Sequence, residues 1–241
     1  MEYVGPFKQD KNGLWYLDSK DIKTNEIFFK ESGKSYSKRT SFYEIEGVDN
    51  YFIKDSTMYP FFFNKSRHLK LLKKLIEKQN KFDDIDFPFA YYKGLGLFKG
   101  IVNPYYKGAL SLDNITVTRN FNALKNYYNH ESDEIDNFQA LFLDVLEILH
   151  QMYKNNIYYT DARLPNFVVF NNKVKIVDFE PGYVHFKDYD NWHLQRMLSA
   201  YASSVDSARK RYGFKTVKFN PGEDFYETEL NLKSLCKRLE R

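Results

Sequence analysis

The 241-residue chain carries 36 basic and 32 acidic residues for a formal charge of +4, with 43% hydrophobic and 18% aromatic residues; that is long and apolar enough to bury a core, which excludes a disordered tail. The modest charge gives no reason to expect a nucleic-acid partner, and a lone cysteine, Cys236, excludes an internal disulfide framework or a cysteine-built zinc site. The five histidines form no H-E-x-x-H, the first thirty residues hold no apolar signal core, and no membrane segment is expected, so the chain reads as cytoplasmic or as a secreted effector acting in a host cytosol.

Residues 1–25 are polar and turn-rich, with Gly5-Pro6 and Asn12-Gly13, and read as short strands or an extension. Strands are expected over 27–30, 41–45 and 51–54. The loop 31–40 holds Ser32-Gly33-Lys34-Ser35, which is no Walker A motif because Phe28 stands where its first glycine belongs. A helix over 67–80, capped by Ser66, gathers Leu69, Leu72, Leu75 and Ile76 on one side and includes a single acidic residue, Glu77, among its lysines. Strands over 87–92 and 97–103 flank a hairpin turn at Gly94-Leu95-Gly96.

The segment 107–132 is mixed, with a helix expected around 121–128. From 133 to 155 the pattern is firmly helical, since Ile135, Phe138, Phe142, Val145, Leu146, Leu149 and Met152 recur at three- and four-residue steps. Asn155-Asn156 ends that helix. The twenty residues 161–180, DARLPNFVVFNNKVKIVDFE, then read as a polar loop, a strand, an Asn-Asn turn and a second strand. Such a hairpin places Asp161 and Asn166 before its first strand and Asp178 after its second, at one end of the ribbon. Two carboxylates and an amide oxygen suit a hard divalent cation that keeps much of its own water, as Mg2+ does. Helices over 193–211 and 227–241 close the chain, joined through Gly213 and Pro221-Gly222.

The spacing Tyr159-Thr160-Asp161, four residues, Asn166, hairpin, Asp178-Phe179-Glu180 resembles the protein-kinase pattern H-R-D-x-x-x-x-N followed by D-F-G. The resemblance spans roughly 26–192 and is densest from 133 to 180. It implies an α+β, bilobal protein kinase-like fold, with a small antiparallel sheet and one helix in an N-lobe over 1–104 and a reduced, mainly helical C-lobe over 105–241. It further implies Asp161 as catalytic base, with Asn166 and Asp178 as Mg2+ ligands and Glu180 as a further one. Lys54 matches the lysine that binds the inner phosphates of ATP, Glu77 is the one acidic residue in the following helix able to pair with it, and Gly33 with Ser35 falls where the glycine loop covers phosphates. Residues 100–106, including Asn103 and Tyr105, look like the hinge whose backbone meets adenine. Asp190-Asn191-Trp192 resembles the start of the helix beneath the catalytic loop.

Arg163 stands where Ser/Thr kinases carry a lysine, so the resemblance favours a protein hydroxyl as acceptor, with ATP and Mg2+ as cofactors and a monomeric, constitutively active enzyme. Glu180 in place of glycine is similar to choline-kinase-like enzymes. A small-molecule kinase, a pseudokinase acting as a binding module, and AMP transfer remain open alternatives.

Overall fold

The structure is a computed structural model describing residues 6–27, 41–55, 63–82, 85–118, 134–211 and 218–237. It is mixed α+β, with a multi-stranded sheet and five α-helices among the described residues. The chain divides into two compact units, residues 1–107 with 178–181, and residues 108–177 with 182–241.

The first unit is built on seven strands: β1 Lys8–Gln9, β2 Trp15–Asp18, β3 Thr24–Ile27, β4 Ser41–Ile45, β5 Val48–Asp55, β6 Ala90–Gly94 and β7 Leu97–Pro104. Their order is β1-β2-β6-β7-β5-β4-β3. The expected small antiparallel sheet needs correction, because β2 runs parallel to β6 while the other neighbours are antiparallel. Antiparallel pairing is enforced by a short turn, as between β6 and β7; β2 and β6 are far apart in sequence, so no turn dictates their direction. Of the two readings of residues 1–25, short strands hold: β1 and β2 supply an edge of the sheet.

Alternation along the strands drives Phe7, Leu17, Ile45, Ile53, Phe89, Ala90 and Val102 into one cluster. Helix α1, Phe63–Gln79, covers the sheet where Leu72 meets Leu14 and Tyr91. It starts a turn before Ser66, so Ser66 is an exposed residue within the helix and not its cap. Gly100 on β7 permits a close crossing, since a Cβ there would fall 2.0 Å from the carbonyl oxygen of Lys54.

The second unit contains β8 Leu110–Ser111, α2 Leu112–Thr118, α3 Glu134–Lys154, β9 Ile157–Tyr159, β10 Phe167–Phe170, β11 Lys173–Ile176, β12 Val184–Phe186, α4 Asn191–Arg211 and α5 Phe225–Lys237. The helix expected over 121–128 lies outside the described residues. The three- and four-residue periodicity of α3 buries Leu141, Phe142, Val145, Leu149 and Met152, and α4 buries Leu194, Met197, Leu198, Tyr201 and Val205. Tyr201 is fully buried, so its hydroxyl needs a partner; it donates to the carbonyl oxygen of Phe142 at 2.5 Å.

Asp190 caps α4, accepting the backbone N–H of His193 at 3.1 Å, and Asp224 caps α5, accepting that of Glu227 at 2.9 Å. Asn171 and Asn172 both have positive φ, +49° and +57°, which a type I′ turn requires and asparagine tolerates, and they close the β10–β11 hairpin. No helix among the described residues is long and apolar enough to cross a membrane.

Candidate functional site

In the sheet unit the site begins on β5, where pleating sends Ile53 into the core and Lys54 to the opposite face. Lys54 is 8% exposed. A buried ammonium must be compensated. Its Nζ donates to Asp178 Oδ1 and, at 2.5 Å, to Glu180 Oε1. Burial alone would push the Lys54 pKa down, but the two carboxylates outweigh it and hold it above the ordinary lysine value.

The segment that delivers those carboxylates, 178–181, belongs to the sheet unit although it follows the hairpin in sequence. Phe179 anchors it. That ring is 1% exposed and meets Phe87 edge-on at 5.1 Å, beside Phe82. With Phe179 inward, Asp178 and Glu180 converge on one nitrogen. Asp178 has φ +66°, a left-handed conformation that a short acidic side chain tolerates better than most.

The remaining expected members of this unit fall as follows. Glu77 lies on the exposed face of α1, while the Lys54 ammonium is held by Asp178 and Glu180. Gly33 and Ser35 lie outside the described residues. Asn103 is buried within β7, opposite Phe52, with its amide nitrogen 3.4 Å from the Ile101 carbonyl oxygen. Tyr105 follows β7; its backbone N–H donates to the Asn50 carbonyl at 2.8 Å and its ring meets Phe52 edge-on.

In the helical unit, α3 feeds β9, and β9 pairs with β12 before the chain enters the loop 160–166. Thr160 ties the loop entrance, its N–H donating to the Tyr183 carbonyl at 2.8 Å and its hydroxyl lying 3.4 Å from His185 Nε2. Leu164 N–H donates to Ser204 Oγ on α4 at 2.8 Å. The exit is a 3-10 turn, Leu164–Asn166, with Pro165 in its first turn, and Asn166 carbonyl accepts the N–H of Val177 at 2.8 Å.

Within this frame Asp161 is 8% exposed and held from two sides. Arg163 grips it as a fork: Nε donates to Oδ1, and Nη2 to Oδ2 at 2.9 Å. Asn166 Nδ2 donates at 2.9 Å to both the Asp161 carbonyl oxygen and Oδ2. The hydrogen bond to Asp161 raises the Arg163 pKa above its ordinary value. The loop therefore presents one fixed carboxylate, one guanidinium that is more than half exposed, and one amide whose nitrogen is committed inward.

Beneath the loop lies a histidine pair that sequence reasoning did not assign. The His185 and His193 rings are 4.3 Å apart, and His193 Nδ1 is 3.0 Å from Asp190 Oδ2. Burial, then the neighbouring His193, Arg196 and Lys187, pushes the His185 pKa down, and the N–H of His193 leads the contacts that hold Asp190 well below the usual carboxylate range. The available signal was the short spacing His185, Asp190, His193 around a helix start.

The sequence matches no family model and no curated protein. Function therefore rests on the chemistry of these two constellations. Among the described residues no group of three or more His, Cys, Asp or Glu is placed to hold a metal ion. Mg2+ commonly takes only one or two carboxylates, with water and phosphate oxygens completing its octahedron.

Proposed function

We propose that this chain is an atypical phosphotransferase of bilobal, protein kinase-like fold that moves the γ-phosphate of ATP to a serine or threonine hydroxyl of a protein. The observation that carries the reading is the buried Lys54 ammonium gripped by both carboxylates of Asp178-Phe179-Glu180, 124 and 126 residues away in sequence. That pairing joins two positions that the kinase resemblance singles out separately.

Each group has spare capacity for the role assigned to it. Lys54 carries three N–H donors and spends two on carboxylates, which leaves one for a phosphate oxygen. A carboxylate offers about four lone-pair positions. Asp161 fills one on Oδ1 and two on Oδ2, which leaves one on Oδ1 for an incoming hydroxyl. In the proposed step the acceptor oxygen bonds to the γ-phosphorus, the bond to the bridging oxygen breaks with its electron pair leaving on ADP, and the hydroxyl proton passes to Asp161. Arg163, exposed and next to that carboxylate, supplies positive charge to the transferring group. Asp178 and Glu180, both carried by the sheet unit, would hold Mg2+, whose chemistry is neutralisation of phosphate charge.

The test is label transfer from γ-labelled and α-labelled ATP with Mg2+, to the protein itself and to a cell lysate, beside Asp178→Ala and Asp161→Asn. Gamma label on discrete protein bands, lost in both variants, is the expected result. Gamma label only in small molecules makes the acceptor a metabolite, alpha label on protein makes the reaction AMP transfer, and nucleotide binding without transfer makes the chain a pseudokinase.

A further inference from the structure

The turn between β6 and β7 breaks two rules at one residue. Leu95 has φ +52° and Gly96 φ +76°, a pair of left-handed positions that favour asparagine or glycine. Yet the first is leucine, its side chain is 85% exposed, and Leu97 beside it is 51% exposed. A left-handed backbone carrying an apolar side chain this exposed has no folding rationale, and such conflicts concentrate where function is selected.

The second observation is charge. Helix α1 holds Lys65, Arg67, Lys70, Lys73, Lys74 and Lys78 against Glu77 alone, a net +5, whereas the whole chain is +4. The entire positive excess therefore sits on one helix about 26 Å long. Lys65, Arg67, Lys70, Lys73 and Lys74 are exposed, opposite the face that packs on the sheet. Phe98, next to Leu97, contacts the ring of His68 at 5.5 Å, so the leucine turn and the first turns of α1 lie at the same end of this unit.

We propose that this end of the sheet unit docks on an anionic lipid surface, Leu95 and Leu97 entering the headgroup boundary while Lys65 and Arg67, in the first turns of α1, bind the headgroups. The combination selects the occupant. A nucleic acid would use the cations and leave two leucines in water, and an apolar protein pocket would use the leucines and need no row of cations; an acidic bilayer uses both. The inference is independent of phosphotransfer.

The experiment is co-sedimentation of the full chain with vesicles of phosphatidylcholine alone or mixed with phosphatidylserine. Binding to the mixed vesicles only, weakening as salt is raised, is expected. Leu95→Asn with Leu97→Ser should weaken it at least about tenfold, and Lys65→Glu with Arg67→Glu should do likewise. Leu95→Asn alone should keep or raise the thermal midpoint, because asparagine suits the turn, whereas a structural leucine would lower it. No sedimentation with either vesicle overturns the proposal, as does sedimentation indifferent to the leucines. Self-association in solution that Leu95→Asn abolishes, without vesicle binding, assigns the turn to a second copy and also overturns it.

Discussion

Lys54→Met removes the ammonium while keeping a side chain of similar length, and it leaves Asp178 and Glu180 facing each other. The Lys54 side chain is 10% exposed and its partners 37% and 33%. Breaking a fully buried pair costs about 3–5 kcal/mol and an exposed one about 0–1, so partners open by a third place this loss near 2 kcal/mol. Because both carboxylates reach one nitrogen, their oxygens lie within about 5 Å of each other. At that distance two like charges repel by about 1 kcal/mol in water and about 3 at an effective dielectric of 20, with the partial exposure favouring the lower figure. Glu180→Gln should therefore change sign with background. In the native chain it removes an attraction and destabilises by about 1 kcal/mol; beside Lys54→Met it removes a repulsion and stabilises by about 1 kcal/mol. Urea unfolding in a Trp192→Phe background reads this directly, since Trp15 on β2 is then the only tryptophan. The same sign in both backgrounds, or a Lys54→Met midpoint equal to the native one, would refute the shared-ammonium geometry.

Asn166→Ala leaves the buried Asp161 carbonyl and Oδ2 without one donor, so it should destabilise the helical unit by about 1–3 kcal/mol, measured with Trp192 as probe. Asn171→Gly should be neutral while Asn171→Val should cost about 1–2 kcal/mol, because only the latter strains the left-handed turn. Gly100→Ala should cost about 1–3 kcal/mol by forcing β7 off the Lys54 carbonyl, visible as a lower urea midpoint of the sheet unit. Acid should act in two stages. The lowered His185 pKa means its contribution is complete above about pH 6.5 and lost as pH falls, and the lowered Asp190 pKa adds a loss beginning below about pH 4. Urea midpoints taken downward from neutral pH should show both stages in the native chain and only the lower one in His185→Gln. The raised Lys54 pKa has the opposite sense: its ion pairs persist through neutrality and weaken only in strong alkali.

What the sequence made legible was local. Periodicity placed α3 because one face is apolar from Ile135 to Met152, and Asn171-Asn172 announced its own turn because few residues accept two positive φ values. The hydrogen bonds joining Asp161, Arg163 and Asn166 lie within six residues of chain, so spacing alone brought them together. The partners of Lys54 were not legible in that way. Sequence reasoning looked to Glu77, the acidic residue on the next helix, whereas the structure supplies carboxylates from across more than 120 residues, positioned by Phe179 burying itself beside Phe87. The parallel β2–β6 pair escaped for the same reason, since nothing in either strand encodes a neighbour so distant. The His185–His193 pair was hidden because histidine spacing alone does not distinguish two rings in close contact from two surface rings.

The four residues 178–181 that complete the sheet unit have a consequence for how the protein is made. A ribosome that has released residues 1–107 has synthesised every strand of the seven-stranded sheet, but about seventy further residues must follow before Asp178 and Glu180 exist. At about 5–20 residues per second that interval is about 4–14 s. Throughout it Lys54 sits on a finished strand without the two carboxylates that neutralise it. The nascent sheet is thus held short of its final state until the loop and hairpin of the other unit have emerged, and a fragment ending at Lys107 would carry that deficit permanently.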